Sequence, residues 1–191
     1  MLVSQMNYSG RPGARGIMVW DPLVRLVHWS VALSILLNGT VLDGENKFHE
    51  WIGYIAAGLV GIRLVWGFVG PRHARLSAFP PNPFAALRHL SSLSRGEKAV
   101  HLSHNPLGAL MVYNIWTTIL FLGVTGYMMG TLRFFGVDWV ENVHEIAFDW
   151  LLFSIVLHIG GVIFDTWRTG VPLIRAMVDG RKRIPSSREI E

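Results

Sequence analysis

The sequence predicts an all-α integral membrane protein, a single four-helix bundle with both termini in the cytoplasm. Three observations point there. Of 191 residues, 51% are hydrophobic and only 16% charged, where a typical soluble domain carries about 25% charge. Four apolar segments, about 22–42, 50–70, 106–129 and 145–166, each approach the roughly twenty residues that a bilayer crossing requires. The basic residues are distributed unevenly around those segments.

Residues 1–19 are expected to form a polar, mobile cytoplasmic tail. Arg11, Pro12, Gly13, Arg15 and Gly16 leave no apolar core for a cleaved signal peptide, so the first helix is expected to be its own targeting signal. Pro22 suits the first turn of that helix. Asn105 and Pro106 give the third segment a capping side chain followed by a proline just inside. Gly70-Pro71 and Gly170 with Pro172 read as stops for the second and fourth segments. The segments form one domain, residues 20–170, followed by a basic cytoplasmic tail, 171–191.

Orientation follows from the connections. The 43–49 turn and the 130–144 loop contain only Lys47 and Arg133 of the 17 lysines and arginines. The 71–105 loop holds Arg72, Arg75, Arg88, Arg95 and Lys98, and the C-terminal region holds Arg168, Arg175, Arg181, Lys182, Arg183 and Arg188. The positive-inside rule therefore assigns both termini and the long loop to the cytoplasm. Pro80, Pro81 and Pro83 make the start of that loop irregular. Residues 84–93 read either as an amphipathic surface helix, with Arg88 and His89 toward lipid phosphates, or as a plain ordered connection. The net charge of +4 is explained by this lipid-facing bias, and no nucleic-acid partner is expected.

Cysteine is absent, which removes disulfides, thiolate metal sites, iron–sulfur clusters and covalent haem attachment. Histidine carries the remaining signal. His144 and His158 bracket the last segment, 14 residues apart, so they share one helical face to within roughly 40°. Along the axis they stand about 21 Å apart. His28 lies in the inner half of the first segment, the depth of His158. His49 begins the second segment at the outer side, the depth of His144. Ionisable groups at membrane depth are costly and signal function. Four in two matched layers fit two bis-histidine haem irons held between facing helices. Zinc or copper would require a further protein ligand in each layer.

The runs VWDPLVRLVHWS, HEWIGYIAAGLVGIRLVWGFVGPRHAR, HNPLGALMV and HEIAFDWLLFSIVLH resemble the bacterial four-helix di-haem cytochrome b family. That family includes the cytochrome b-561 type and the b-type subunits of nickel–iron hydrogenases, and the resemblance covers about residues 18–183. It implies two non-covalent haem b groups in the bacterial inner membrane: His28 and His158 on the cytoplasmic-side iron, His49 and His144 on the periplasmic-side iron. Asp149 departs from the neutral polar residue of the relatives. It is expected near the start of the last helix, one turn after Glu145, where acids suit the helix dipole.

Around these ligands, Arg25 and Arg63 are candidate propionate partners for the inner haem, with snorkelling to lipid phosphate as the plainer alternative. Lys47 or Arg133 would serve the outer one. Gly53, Gly58, Gly61, Gly123 and Gly126 would admit a flat macrocycle or close helix packing. Trp20, Trp29, Trp51, Trp66, Trp139 and Trp167 read as interfacial anchors. His101 and His104, where the third helix enters, are candidates for a quinone site or simply solvate the helix start, while His73 and His89 read as loop residues.

The expected function is electron transfer between the quinone pool (ubiquinone or menaquinone) and a periplasmic redox partner. That partner would be a cytochrome c or a hydrogenase-like dehydrogenase, and a homodimer is allowed. One alternative is a self-contained superoxide:ubiquinone oxidoreductase of the b-561 type. Another, of a different class, is a haem-free membrane anchor or metal carrier.

Overall fold

Asp21 and Pro22 start the first helix of the chain in the computed structural model, which describes residues 14–44, 46–188 and 190. The Asp21 carboxylate accepts from the amides of Leu23 and Val24, and Pro22 has no amide to leave orphaned. Helix α1 runs Pro22–Thr40 and α2 runs Lys47–Val69 behind an Asn46 cap. Two short 3-10 turns lead to α3, Pro83–Ser94, capped by Asn82. Helix α4, Pro106–Met129, begins on Asn105, whose side chain accepts from the Gly108 amide at 2.7 Å. Helix α5, Asp138–Thr169, ends on Gly170 in the left-handed conformation, φ 75°.

Helices α1, α2, α4 and α5 are each long and apolar enough to cross a membrane. Helix α1 packs on α2, α2 on α4 and α4 on α5. Their shared core is Val27 and Val31, Ala56 and Val60, Ile119, and Leu151. Outside it the helices stay apolar: Leu26, Leu33, Ile55, Ile62, Val124 and Val156 are all exposed, which in water would be prohibitive and in lipid is expected.

The fourth span differs from the expected 145–166. It starts seven residues earlier, takes half of the expected 130–144 loop, and with 32 residues extends about 48 Å, well beyond the hydrocarbon core. Asp138 and Glu141 occupy its first turn, where the dipole favours them. Asp149 therefore lies three turns inside the helix and is exposed, so the dipole does not account for it.

The expected tails also differ. Residues Ala14–Met18 form β1 and Arg181–Pro185 form β2, paired antiparallel with Ala14 opposite Pro185 and Met18 opposite Arg181. Between Gly170 and β2, Leu173–Asp179 forms the short helix α6. Four spans return both chain ends to the same end of the bundle, so the two strands meet. Alternate residues of β2, Lys182 and Ile184, point inward and are 5% and 1% exposed. Lys182 Nζ donates to the carbonyls of His101 (3.0 Å) and Ser103 (2.7 Å) and lies over the Trp20 ring. Trp20, expected as an interfacial anchor, is a buried residue of this platform, packed with Val19, Val24, Ala74 and Ala176. The rest of the expected first tail, residues 1–13, together with Glu45, Glu189 and Glu191, lies outside the described residues.

Helix α3 covers the expected surface helix, with Phe84, Leu87 and Leu90 exposed along it. His89 does not face outward: it is buried, its ring edge-on to His101 at 5.2 Å.

Candidate functional site

Helix α5 presents His144 in its second turn and His158 four turns later, and His144 meets a histidine of another helix. At one end His49, in the first turn of α2, faces His144 with ring centroids 6.5 Å apart and planes inclined by 56°. An iron about 2 Å from each ring nitrogen, with about 1 Å more to each ring centre, brings two centroids about 6 Å apart, so the separation suits a shared metal. The two rings line a small cleft of about 80 Å³ with Gly53, Gly123, Gly126 and Phe148.

The glycines divide by role. A Cβ on Gly126 would stand 3.5 Å from the His144 ring and one on Gly53 3.6 Å from the Asn38 amide. Gly123 instead lets α4 close on α2, because a Cβ there would come within 2.9 Å of Ala57 Cβ. Gly58 and Gly61 face nothing within 4 Å.

Two groups behind these rings carry no sequence motif. Thr125 Oγ1 of α4 lies 2.8 Å from His144 Nδ1. Asn38 Nδ2 of α1 donates to the His49 carbonyl at 3.0 Å, tying the start of α2 to α1. Deeper between α4 and α5, Asn114 donates to Ser154 at 2.8 Å and accepts from Trp150 Nε1 at 3.0 Å. In lipid such polar groups must be satisfied internally, and this trio is. A polar residue inside an apolar segment was the available signal for Asn114 and Thr125. Their partners are on other helices and have no signature in the chain itself.

At the other end, His28 of α1 and His158 of α5 are both half-buried. Arg63 of α2 is 3% exposed. Its Nη2 donates to the Ala74 carbonyl at 2.8 Å, and its guanidinium lies 5.1 Å from the Trp116 ring centre and 5.8 Å from that of Phe79. Its Nη1 is buried without a hydrogen bond. Arg25 has a structural task that its spacing from His28 did not reveal: Nη1 donates to the Val178 carbonyl at 2.6 Å and joins α1 to α6. Its Nε is buried and unpartnered. Lys47 and Arg133 are exposed at the opposite end.

The structure separates His101 from His104. The His104 ring packs between Trp20 (4.9 Å) and Phe79 (4.6 Å), with Nδ1 buried and unpartnered, whereas His101 pairs with His89. Burial, reinforced by Lys182 and Arg63, pushes the His104 imidazole down to about 3, so it is neutral at pH 7.

The donor set fits an iron macrocycle. Among the described residues no group of three or more metal-ligating side chains exists, so a pair of histidines would hold an iron only with a macrocycle supplying its remaining ligands. The buried, unpartnered Nη1 of Arg63 is costly as it stands, and a haem carboxylate would satisfy it.

The family model for prokaryotic cytochrome b561 matches residues 19–180. The chain belongs to that family. Three curated relatives carry the name "Probable Ni/Fe-hydrogenase B-type cytochrome subunit". The protein of Azotobacter vinelandii is 23% identical, over 90% of this chain and 90% of its own. That of Azotobacter chroococcum mcd 1 is 28% identical over 71% and 67%, and that of Bradyrhizobium diazoefficiens 25% over 91% and 87%. No solved structure matches. With four apolar spans and this membership, the chain is a multi-pass membrane cytochrome of b type, with haem b as cofactor and electron transport as its work.

Proposed function

We propose that this cytochrome carries electrons across the bacterial inner membrane between the quinone pool and a periplasmic redox partner, through two haem b groups stacked along α5. His28 and His158 hold the haem nearer the cytoplasm, and His49 and His144 the haem nearer the periplasm. The observation that carries the reading is the placing of two histidine layers about 21 Å apart on one helix, with the outer pair at 6.5 Å between rings.

Haem iron with both axial positions filled by imidazole supplies one-electron transfer rather than oxygen binding. The protein's part is to hold the rings, exclude water and compensate charge. Arg63, buried above Trp116 and Phe79, compensates an inner propionate. The neutral His104, between Trp20 and Phe79 at the entry of α4, is the candidate to meet a quinone carbonyl, and His101 is not part of that group. The basic loop and tail support a cytoplasmic location for both termini. The names of the relatives favour a hydrogenase as the periplasmic partner. The outer end offers a small anion little steering, since exposed Lys47 and Arg133 sit among Asp43, Glu50, Asp138 and Glu141. That favours a relay over a superoxide oxidoreductase.

The test is an optical redox titration of the detergent-purified chain with haem quantified, followed by addition of quinone to the reduced protein. The reading expects a b-type spectrum whose haems are reoxidised by quinone. Reduced haem that stays reduced overturns the quinone arm, and absence of a b-type spectrum overturns the whole reading.

A further inference from the structure

We infer that Thr125 of α4 is a positioning residue for the outer haem, its hydroxyl fixing the tautomer and ring plane of His144 and so setting the potential of that iron. The inference rests on the reading of His144 as an axial ligand.

Thr125 is 3% exposed. Its Oγ1 lies 2.8 Å from His144 Nδ1, 3.1 Å from the Phe121 carbonyl and 3.2 Å from the Leu122 carbonyl. A hydroxyl has one proton to donate and two lone pairs to offer, and a carbonyl can only accept. Threonine inside a helix commonly gives its proton back to the carbonyl one turn earlier. Its lone pairs then point to the imidazole, and His144 Nδ1 must be the donor. A neutral imidazole carries a single N–H, so Nε2 is left with its lone pair free for a metal. The hydrogen bond thus selects the tautomer that ligation needs and holds the ring against α4, where a Cβ at Gly126 would come no closer than ordinary contact, 3.5 Å from His144 Cε1.

The other side of the site has no such support. His49 Nδ1 is buried and makes no hydrogen bond, and neither does Nδ1 of His28 in the inner layer. An imidazole that donates through Nδ1 is a more basic ligand, and a more basic ligand favours the oxidised iron. Thr125 therefore lowers the potential of the outer haem relative to the same site without the hydroxyl. A neutral acceptor does so more weakly than a carboxylate would.

The experiment compares full-length Thr125→Val and Thr125→Ser in equilibrium redox titrations followed by absorbance and electron paramagnetic resonance. His144→Ala identifies which midpoint belongs to the outer haem. Thr125→Val, the same shape without a donor or acceptor, is expected to raise the outer midpoint and alter the outer ferric signal while the inner midpoint stays put. Thr125→Ser is expected to restore both. Loss of the outer haem from the valine variant with retention in the serine variant supports the same role. Valine and wild-type proteins that titrate alike overturn it, as does outer-haem loss from both variants. If His144→Ala keeps both haems, the ligand reading has failed instead, and the two failures are distinguishable.

Discussion

The rings of His49 and His144, from helices that do not follow one another in the chain, stand 6.5 Å apart across a cleft lined by Gly53, Gly123 and Gly126. On the proposed ligation each imidazole would supply one bond to the iron, and a haem held on a single histidine is expected to be lost on purification. His49→Ala and His144→Ala should therefore each lower haem content from two per chain to one. Both should leave the same residual spectrum. Haem quantification by alkaline pyridine absorbance checks this, and a full haem complement in either variant would contradict it.

Arg63 sets a charge beside the other layer. It is nearly inaccessible, and one of its guanidinium nitrogens has no partner within the chain. On the proposed reading a fixed cation favours the reduced, less positive iron, and its removal would also leave a propionate uncompensated. Arg63→Leu should lower the inner midpoint potential and leave the outer one unmoved. Arg25→Leu, whose Nη1 serves the Val178 carbonyl, should instead cost about 1 kcal/mol of stability with both haems retained. A redox titration beside a thermal unfolding curve separates the two.

Lys182 gives the termini platform a pH dependence. Burial, partly offset by Asp165, pushes its ammonium down to about 8, whereas in the unfolded chain it returns to 10.5. Below pH 8 both states are protonated and the folded state carries the full cost of the buried charge. Between these values the unfolded state binds more protons, so stability rises with pH by at most about 1.4 kcal/mol per unit. In Lys182→Met that rise should vanish. Unfolding of both proteins in detergent from pH 7.5 to 10 provides the comparison, and parallel curves would contradict the assignment.

Gly123 and Gly58 make a matched pair. A Cβ at Gly123 meets Ala57 at 2.9 Å, so Gly123→Ala should cost about 1–3 kcal/mol by overpacking α2 against α4. Gly58 faces open space, and Gly58→Ala should stabilise the helix by roughly 0.5–1 kcal/mol. Thermal loss of the haem absorbance band reads both. Equal effects would mean that α2 and α4 do not close at Gly123.

The spans and their caps were legible because bilayer length and capping chemistry are local properties. Asp21-Pro22 and Asn105-Pro106 begin helices where the sequence says they should. The approach of His49 to His144 was legible because depth follows from counting along alternating helices. The early start of α5 was not, since Asp138 and Glu141 depress hydropathy while favouring a helix N-terminus. The pairing of β1 with β2 joins residues at opposite ends of the chain, and short basic strands show no periodicity to reveal it. Thr125, Asn114 and the task of Arg25 depend on which helix lies opposite, which only packing determines.

Helix α5 is proposed to form the shared wall of two haem sites, and haem stoichiometry in His158→Ala tests this most directly. Wild-type protein is expected to hold two haem b per chain. The variant should hold one, with the midpoint that His144→Ala loses and without the midpoint that His144→Ala keeps. Two haems retained in His158→Ala, or the same haem lost from both variants, would contradict the account.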